Sequence, residues 1–103
     1  MSTIEKLAAT IAARASASAD SSYTAKLLGE GIEKCAKKFG EEAFELAIAA
    51  TSKDKAHTAQ EAADVIYHLL VLLQASGVSL AEVEKVLAAR EAMSGLAEKA
   101  SRG

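Results

Sequence analysis

The nine residues Val65-Ile66-Tyr67-His68-Leu69-Leu70-Val71-Leu72-Leu73 constrain this chain most. They are apolar nearly all round, and a helix of that kind is buried on most of its sides. Any fold the chain adopts must therefore wrap this segment. His68 interrupts the run, which is also too short to span a bilayer. At 103 residues the chain reads as one domain. A domain this small buries only roughly 60–70% of its extended-chain surface, so it struggles to cover such a helix alone. Pairing of these helices in a homodimer is the expected remedy. There is no Trp and no Pro, aromatics are only 4%, alanine is abundant and β-branched residues are sparse. That mixture favours helix over strand.

The other elements follow from local signals. Ser2-Thr3-Ile4-Glu5 fits a capping box, and Ile4, Leu7, Ala8 and Ile11 give a first amphipathic helix ending near Ala15. Residues 16–22 are a polar connection of small residues. Tyr23 to Glu30 reads as a short helix or single turns, broken where Gly29 and Gly31 bracket Glu30. A long helix starts at Ile32, with Ile32, Ala36, Phe39, Ala43, Leu46 and Ala50 as its expected core stripe. After a polar turn at 51–55, the next helix begins near Asp54 or at Thr58 and runs to Ser76, with Gly77 as its terminal glycine. Ser79-Leu80-Ala81-Glu82 is a second capping box and opens a further helix. The expected fold is an all-α bundle of about five helices over residues 1–103, its core completed by homodimerisation.

Two carboxylate pairs carry the chemistry. Glu42 and Glu45 form one, and Glu61 and Asp64 the other. The i, i+3 spacing sets each pair on one helix face, about 5–6 Å apart at Cβ, where like charges repel. If the two long helices pack antiparallel, the pairs face each other. Four acids converging with nothing opposite are severely costly, and a divalent cation removes that cost. Carboxylate oxygens select Mg²⁺ or Mn²⁺ over Zn²⁺. Such an ion polarises a phosphoryl oxygen and orients water. Glu41, adjacent, is a candidate ligand or water-orienting base. The bland alternative is a solvated acidic face, since both spacings occur in many helical proteins.

Lys26, Lys34, Lys37, Lys38, Arg90, Lys99 and Arg102 are the cations available to an anionic substrate, with solvated surface lysines as the plain alternative. Tyr23 reads as a core tyrosine or as a platform for a base. His68, four residues after Asp64, reads as a satisfied core residue or as one that supports the acidic face from behind, and His57 as a surface residue. A formal net charge of −2 argues against coating nucleic acid through bulk charge. The single cysteine, Cys35, reads as a small buried hydrophobe in a reducing compartment. Met1-Ser2-Thr3-Ile4-Glu5-Lys6 does not have the pattern of a signal peptide, so a cytoplasmic protein without membrane contact is expected.

Several stretches resemble the phosphoribosyl-ATP pyrophosphohydrolase family. They are residues 22–28, the run from Gly31 through Lys37-Lys38-Phe39-Gly40-Glu41-Glu42-Ala43-Phe44-Glu45, the segment 61–73 and the tail 94–102. The paired acids alone are similar to the wider all-α MazG-type pyrophosphatases. The Lys26 segment and Glu98-Lys99-Ala100-Ser101-Arg102 make the resemblance narrower. It implies Mg²⁺-dependent hydrolysis of phosphoribosyl-ATP to phosphoribosyl-AMP and pyrophosphate, the second step of histidine biosynthesis, by a helical homodimer. The family's Glu-x-x-Glu and Glu-x-x-Asp pattern falls on Glu42, Glu45, Glu61 and Asp64 as metal ligands. Glu41 is then the candidate catalytic base, and Lys26, Lys34, Lys38, Lys99 and Arg102 the candidate substrate-binding residues. A house-cleaning nucleoside triphosphate pyrophosphatase and a non-enzymatic helical dimerisation module are the alternatives.

Overall fold

A computed structural model describes residues 1–93 as five helices. They are α1 (Thr3–Arg14), α2 (Tyr23–Gly29), α3 (Ile32–Thr51), α4 (Lys55–Ser76) and α5 (Leu80–Glu91). The local signals set their ends. Ser2 Oγ accepts the Glu5 amide at 3.1 Å while Glu5 Oε1 accepts the Ser2 amide at 2.9 Å, so both halves of the first box form. Ser79 and Glu82 do the same for α5. The start of α4 is decided in favour of Asp54, whose carboxylate accepts the His57 amide. Thr58 cannot act as the cap because its hydroxyl donates back to the Asp54 carbonyl. Gly31, with φ of 99°, separates α2 from α3, and Gly77, with φ of 73°, ends α4. Both conformations are ones that residues with a Cβ rarely adopt.

The short turn 52–54 folds α4 back along α3, and this helical hairpin is the dominant contact of the structure. α1 and α2 lie against α4, and α2 also meets α3. The fully buried cluster is Ile11, Leu27, Cys35, Leu70 and Val71, with Leu7, Ile66, Tyr67 and Leu73 packed round it. The apolar segment of α4 is thus the centre of the core, as its composition requires. Among the described residues, no single helix is long and apolar enough to cross a membrane.

The packed face of α3 differs from the stripe read in the sequence. Cys35 and Ala49 are the buried residues of this helix, while Ile32 is 49% exposed and Ala36 and Ala50 are exposed. The packed face is turned about 60° from the predicted one at 100° per residue. The reason is that α3 has apolar residues on more than one side, so periodicity alone does not decide which side meets α4. The turn brings Glu42 to a half-buried position and leaves Phe44 and Ile48 in solvent, at 68% and 54% exposure.

α5 packs only sparsely on the other helices. Its Val86 and Leu87 are 50% and 56% exposed. The radius of gyration is 15.7 Å, above the roughly 13 Å of a compact chain of this length.

Candidate active site

The hairpin brings the acids of α3 and α4 together. Glu42, Glu45 and Glu61 each offer a carboxylate oxygen, and the three oxygens lie within 4.8 Å of one another. Asp64 is not in that set and is exposed. Its charge nonetheless reaches Glu42. The Glu42 carboxyl is raised above its usual 4.5, first by loss of water and then by repulsion from Glu45, Asp64 and Glu61. Glu61 Oε1 lies 3.8 Å from His57 Nε2. Glu61 Oε2 is buried and has no hydrogen-bond partner among the described residues. The lysines nearest in sequence do not relieve the acids: Lys34 pairs with Glu30 at 3.9 Å and Lys38 with Glu41 at 3.7 Å. An all-oxygen donor set suits a hard divalent cation. An orphaned buried carboxylate oxygen, costly by itself, is what such an ion would satisfy.

Beside the acids lies a pocket of about 860 Å³ whose walls include Tyr23, Lys26, Lys34, Lys37, Lys38 and Glu41. That size is within the range of small-molecule sites. Residues 34, 37, 38 and 41 share one face of α3 by their i, i+3, i+4, i+7 spacing, and Tyr23 and Lys26 of α2 complete the lining. Three of the expected substrate-binding lysines, Lys26, Lys34 and Lys38, therefore line one cavity. Lys99 and Arg102 lie outside the described residues. Lys37, one of the cations the sequence offers to an anionic substrate, lines the same cavity. Tyr23 is a correction to the core reading. It is 54% exposed and its ring forms pocket wall.

His68 holds this wall from below. It is 6% exposed, and its ring meets Tyr67 edge-on at 5.0 Å and Tyr23 edge-on at 6.5 Å. Tyr67 in turn shares a hydrogen bond with Thr24 of α2. His68 is thus a core residue, as expected, but it is not satisfied: its Nδ1 has no hydrogen-bond partner among the described residues. Burial pushes its pKa below the usual 6.5. Lys38 pushes it the same way, and Asp64 opposes. The folded chain therefore disfavours the imidazolium. The stability this gives is complete above about 6.5 and is lost as pH falls from there through the lowered folded value. Between about pH 7.5 and about pH 5.5, thermal melts in chelator should show a larger drop for the wild type than for His68→Asn. Equal drops would remove His68 as the cause.

An all-α hairpin that gathers carboxylates beside a lysine-lined pocket defines a class, that of phosphate-handling hydrolases. Comparison with known proteins narrows it. The profile of the family described as Phosphoribosyl-ATP pyrophosphohydrolase matches residues 4–91. The phosphoribosyl-ATP pyrophosphatase of Cereibacter sphaeroides is 62% identical over 103 residues, covering 100% of both chains. That of Dinoroseobacter shibae is 60% identical over 102 residues, 99% of this chain and 100% of the relative. Phosphoribosyl-ATP pyrophosphatase 1 of Rhodopseudomonas palustris is 59% identical over 100 residues, 97% of this chain and 94% of its own. The chain belongs to the phosphoribosyl-ATP pyrophosphohydrolase family.

Proposed function

We propose that this chain hydrolyses phosphoribosyl-ATP to phosphoribosyl-AMP and pyrophosphate, with Glu42, Glu45, Glu61 and Asp64 holding Mg²⁺. The carrying observation is the convergence of three carboxylates, one with an orphaned buried oxygen, beside a lysine-lined pocket. It stands in a chain whose relatives are named for this substrate. When bound, the cation supplies charge neutralisation and polarisation of phosphoryl oxygens. Mn²⁺ suits the same oxygen donors.

The chain's own residues do the rest. Glu41 follows the pocket wall and precedes Glu42, so it sits at the junction of the basic and acidic parts. From there its carboxylate takes a proton from water as that water attacks one of the two phosphorus atoms flanking the α–β bridging oxygen; that atom's bond to the bridging oxygen breaks, and phosphoribosyl-AMP and pyrophosphate separate. Lys38, 3.7 Å from Glu41, restrains that carboxylate and adds positive charge beside the phosphates. Lys26 of α2 and Lys34 of α3 hold the substrate, and Tyr23 offers a face for a base to stack on.

We read the working unit as a homodimer. Phe44 and Ile48 are one helical turn apart on α3 and both exposed, and α5 exposes Val86 and Leu87. Apolar residues grouped in this way mark an interaction surface, and the small core of a single copy would gain most from a second.

The test is pyrophosphate release from phosphoribosyl-ATP with Mg²⁺ and then with chelator, beside a panel of ATP and dUTP. Metal-dependent release that the free triphosphates cannot match is the expected result. Equal turnover of dUTP would move the chain to the house-cleaning reading. A folded dimer inactive on every triphosphate would leave a non-enzymatic module.

A further inference from the structure

The site is divided by charge, and the division bears on which phosphate goes where. From Lys34 to Lys38 one face of α3 is basic, and from Glu42 to Glu45 it is acidic. The centres of the two stretches are about 11 Å apart at 1.5 Å per residue. The acidic stretch, with Glu61 and Asp64 opposite, repels any phosphate that arrives without cations. A triphosphate can lie against these acids only with divalent ions between them, and those ions contact it directly. The lysine pocket is different. It contains four lysines and two carboxylates, Glu30 and Glu41. Lys34 and Lys38 are paired with those carboxylates, while Lys26 and Lys37 make no ion pair among the described residues. Two uncompensated ammonium groups match one phosphate monoester, which carries about −1.5 to −2 charge at neutral pH.

We infer that the pocket of Lys26, Lys34, Lys37 and Lys38 is the subsite for the monoester phosphate of the substrate's phosphoribosyl arm, with Lys37 and Lys26 as its principal cations. This rests on the reading of phosphoribosyl-ATP as the substrate. The triphosphate then lies at the acids. Both substrate and ATP carry a triphosphate, so the lysine pocket is what distinguishes them. Discrimination of this kind comes from a site left with unmatched charge when the group is missing.

The experiment crosses two substrates with three enzymes. The substrates are phosphoribosyl-ATP and the same compound with its monoester phosphate removed. The enzymes are the wild type, Lys37→Met and Lys26→Met, both changes being at exposed positions. Removing the phosphate is expected to lower kcat/KM of the wild type by about a hundredfold, and that of each variant by only about tenfold, because each lysine contributes about one factor of ten to holding the dianion. On phosphoribosyl-ATP the variants should lose through KM rather than kcat. If the phosphate matters equally in all three enzymes, or not at all in the wild type, the subsite assignment is wrong and these lysines serve the triphosphate or nothing. Wild type that releases no pyrophosphate from phosphoribosyl-ATP overturns the substrate reading itself, and the subsite with it.

Discussion

Glu42→Gln is expected to lower pyrophosphate release from phosphoribosyl-ATP by at least about a thousandfold, roughly 4 kcal/mol of transition-state stabilisation, with helicity unchanged. Glu42 is half-buried and feels the other three acids: burial, Glu45, Asp64 and Glu61 all raise its carboxyl. Without metal, that arrangement is a liability of the folded chain, and replacing the carboxylate with a neutral amide of similar shape relieves it. In chelator the variant should therefore melt a few degrees above the wild type. Adding Mg²⁺ should reverse the order, because a ligand that binds only the folded state stabilises it by mass action. The paired readout separates two accounts of the acids. A metal ligand gives lost turnover and lost Mg²⁺ stabilisation together. A solvated acidic face gives neither. Asp64→Ala extends the test, since Asp64 lies outside the close trio. A wild-type rate in Glu42→Gln would sink the metal assignment.

Phe44→Glu is expected to convert a homodimer into a monomer, shifting the dissociation constant by about a thousandfold or more. Phe44 is 68% exposed in a single copy, and Ile48 beside it 54%. Covering side chains of this size is worth roughly 1.5–3 kcal/mol each, and a two-fold interface counts every residue twice. A carboxylate placed there without a partner costs more than the lost burial. Light scattering behind size exclusion reads the mass directly. The melting temperature of the wild type should also rise with protein concentration, and that of the variant should not. A wild type that is already monomeric at every concentration would rule the dimer out and leave the exposed face of α3 for another partner.

The parts of this molecule that were legible in advance are those whose causes lie within a few residues. Ser2 with Glu5 and Ser79 with Glu82 are three residues apart, and their reciprocal hydrogen bonds form as the pattern predicts. Gly77 ends α4 because the chain needs a left-handed residue there. Where two local signals competed, at Asp54 and Thr58, the pattern could not choose between them. The choice followed from the side chains: the Asp54 carboxylate caps the helix and the Thr58 hydroxyl bonds back to a carbonyl.

The α3 stripe was misplaced for a different reason. Summing apolar residues round a helix weighs Ile32 and Ala36 the same as Cys35 and Ala49, but burial depends on which neighbour arrives and at what rotation. Periodicity likewise does not decide between a core Tyr23 and one that offers its face to a base. Nothing near Tyr23 in the chain reveals that His68, 45 positions later, will meet its ring edge-on.

The order of helices, the capped starts of α1 and α5, the glycine end of α4 and the placing of Glu42 and Glu45 on one face belong to the sequence alone, because hydrogen bonds and side-chain spacing within one helix need no partner; the centrality of residues 65–73 follows from their all-round apolarity. The meeting of Glu42 and Glu45 with Glu61, the orphaned oxygen of Glu61 and the gathering of lysines from α2 and α3 round one cavity belong to the tertiary structure. Each depends on how far α3 is rotated against α4, and that angle is set by packing across the hairpin, where contacts between distant residues decide which side chains lose water and which charges are brought together.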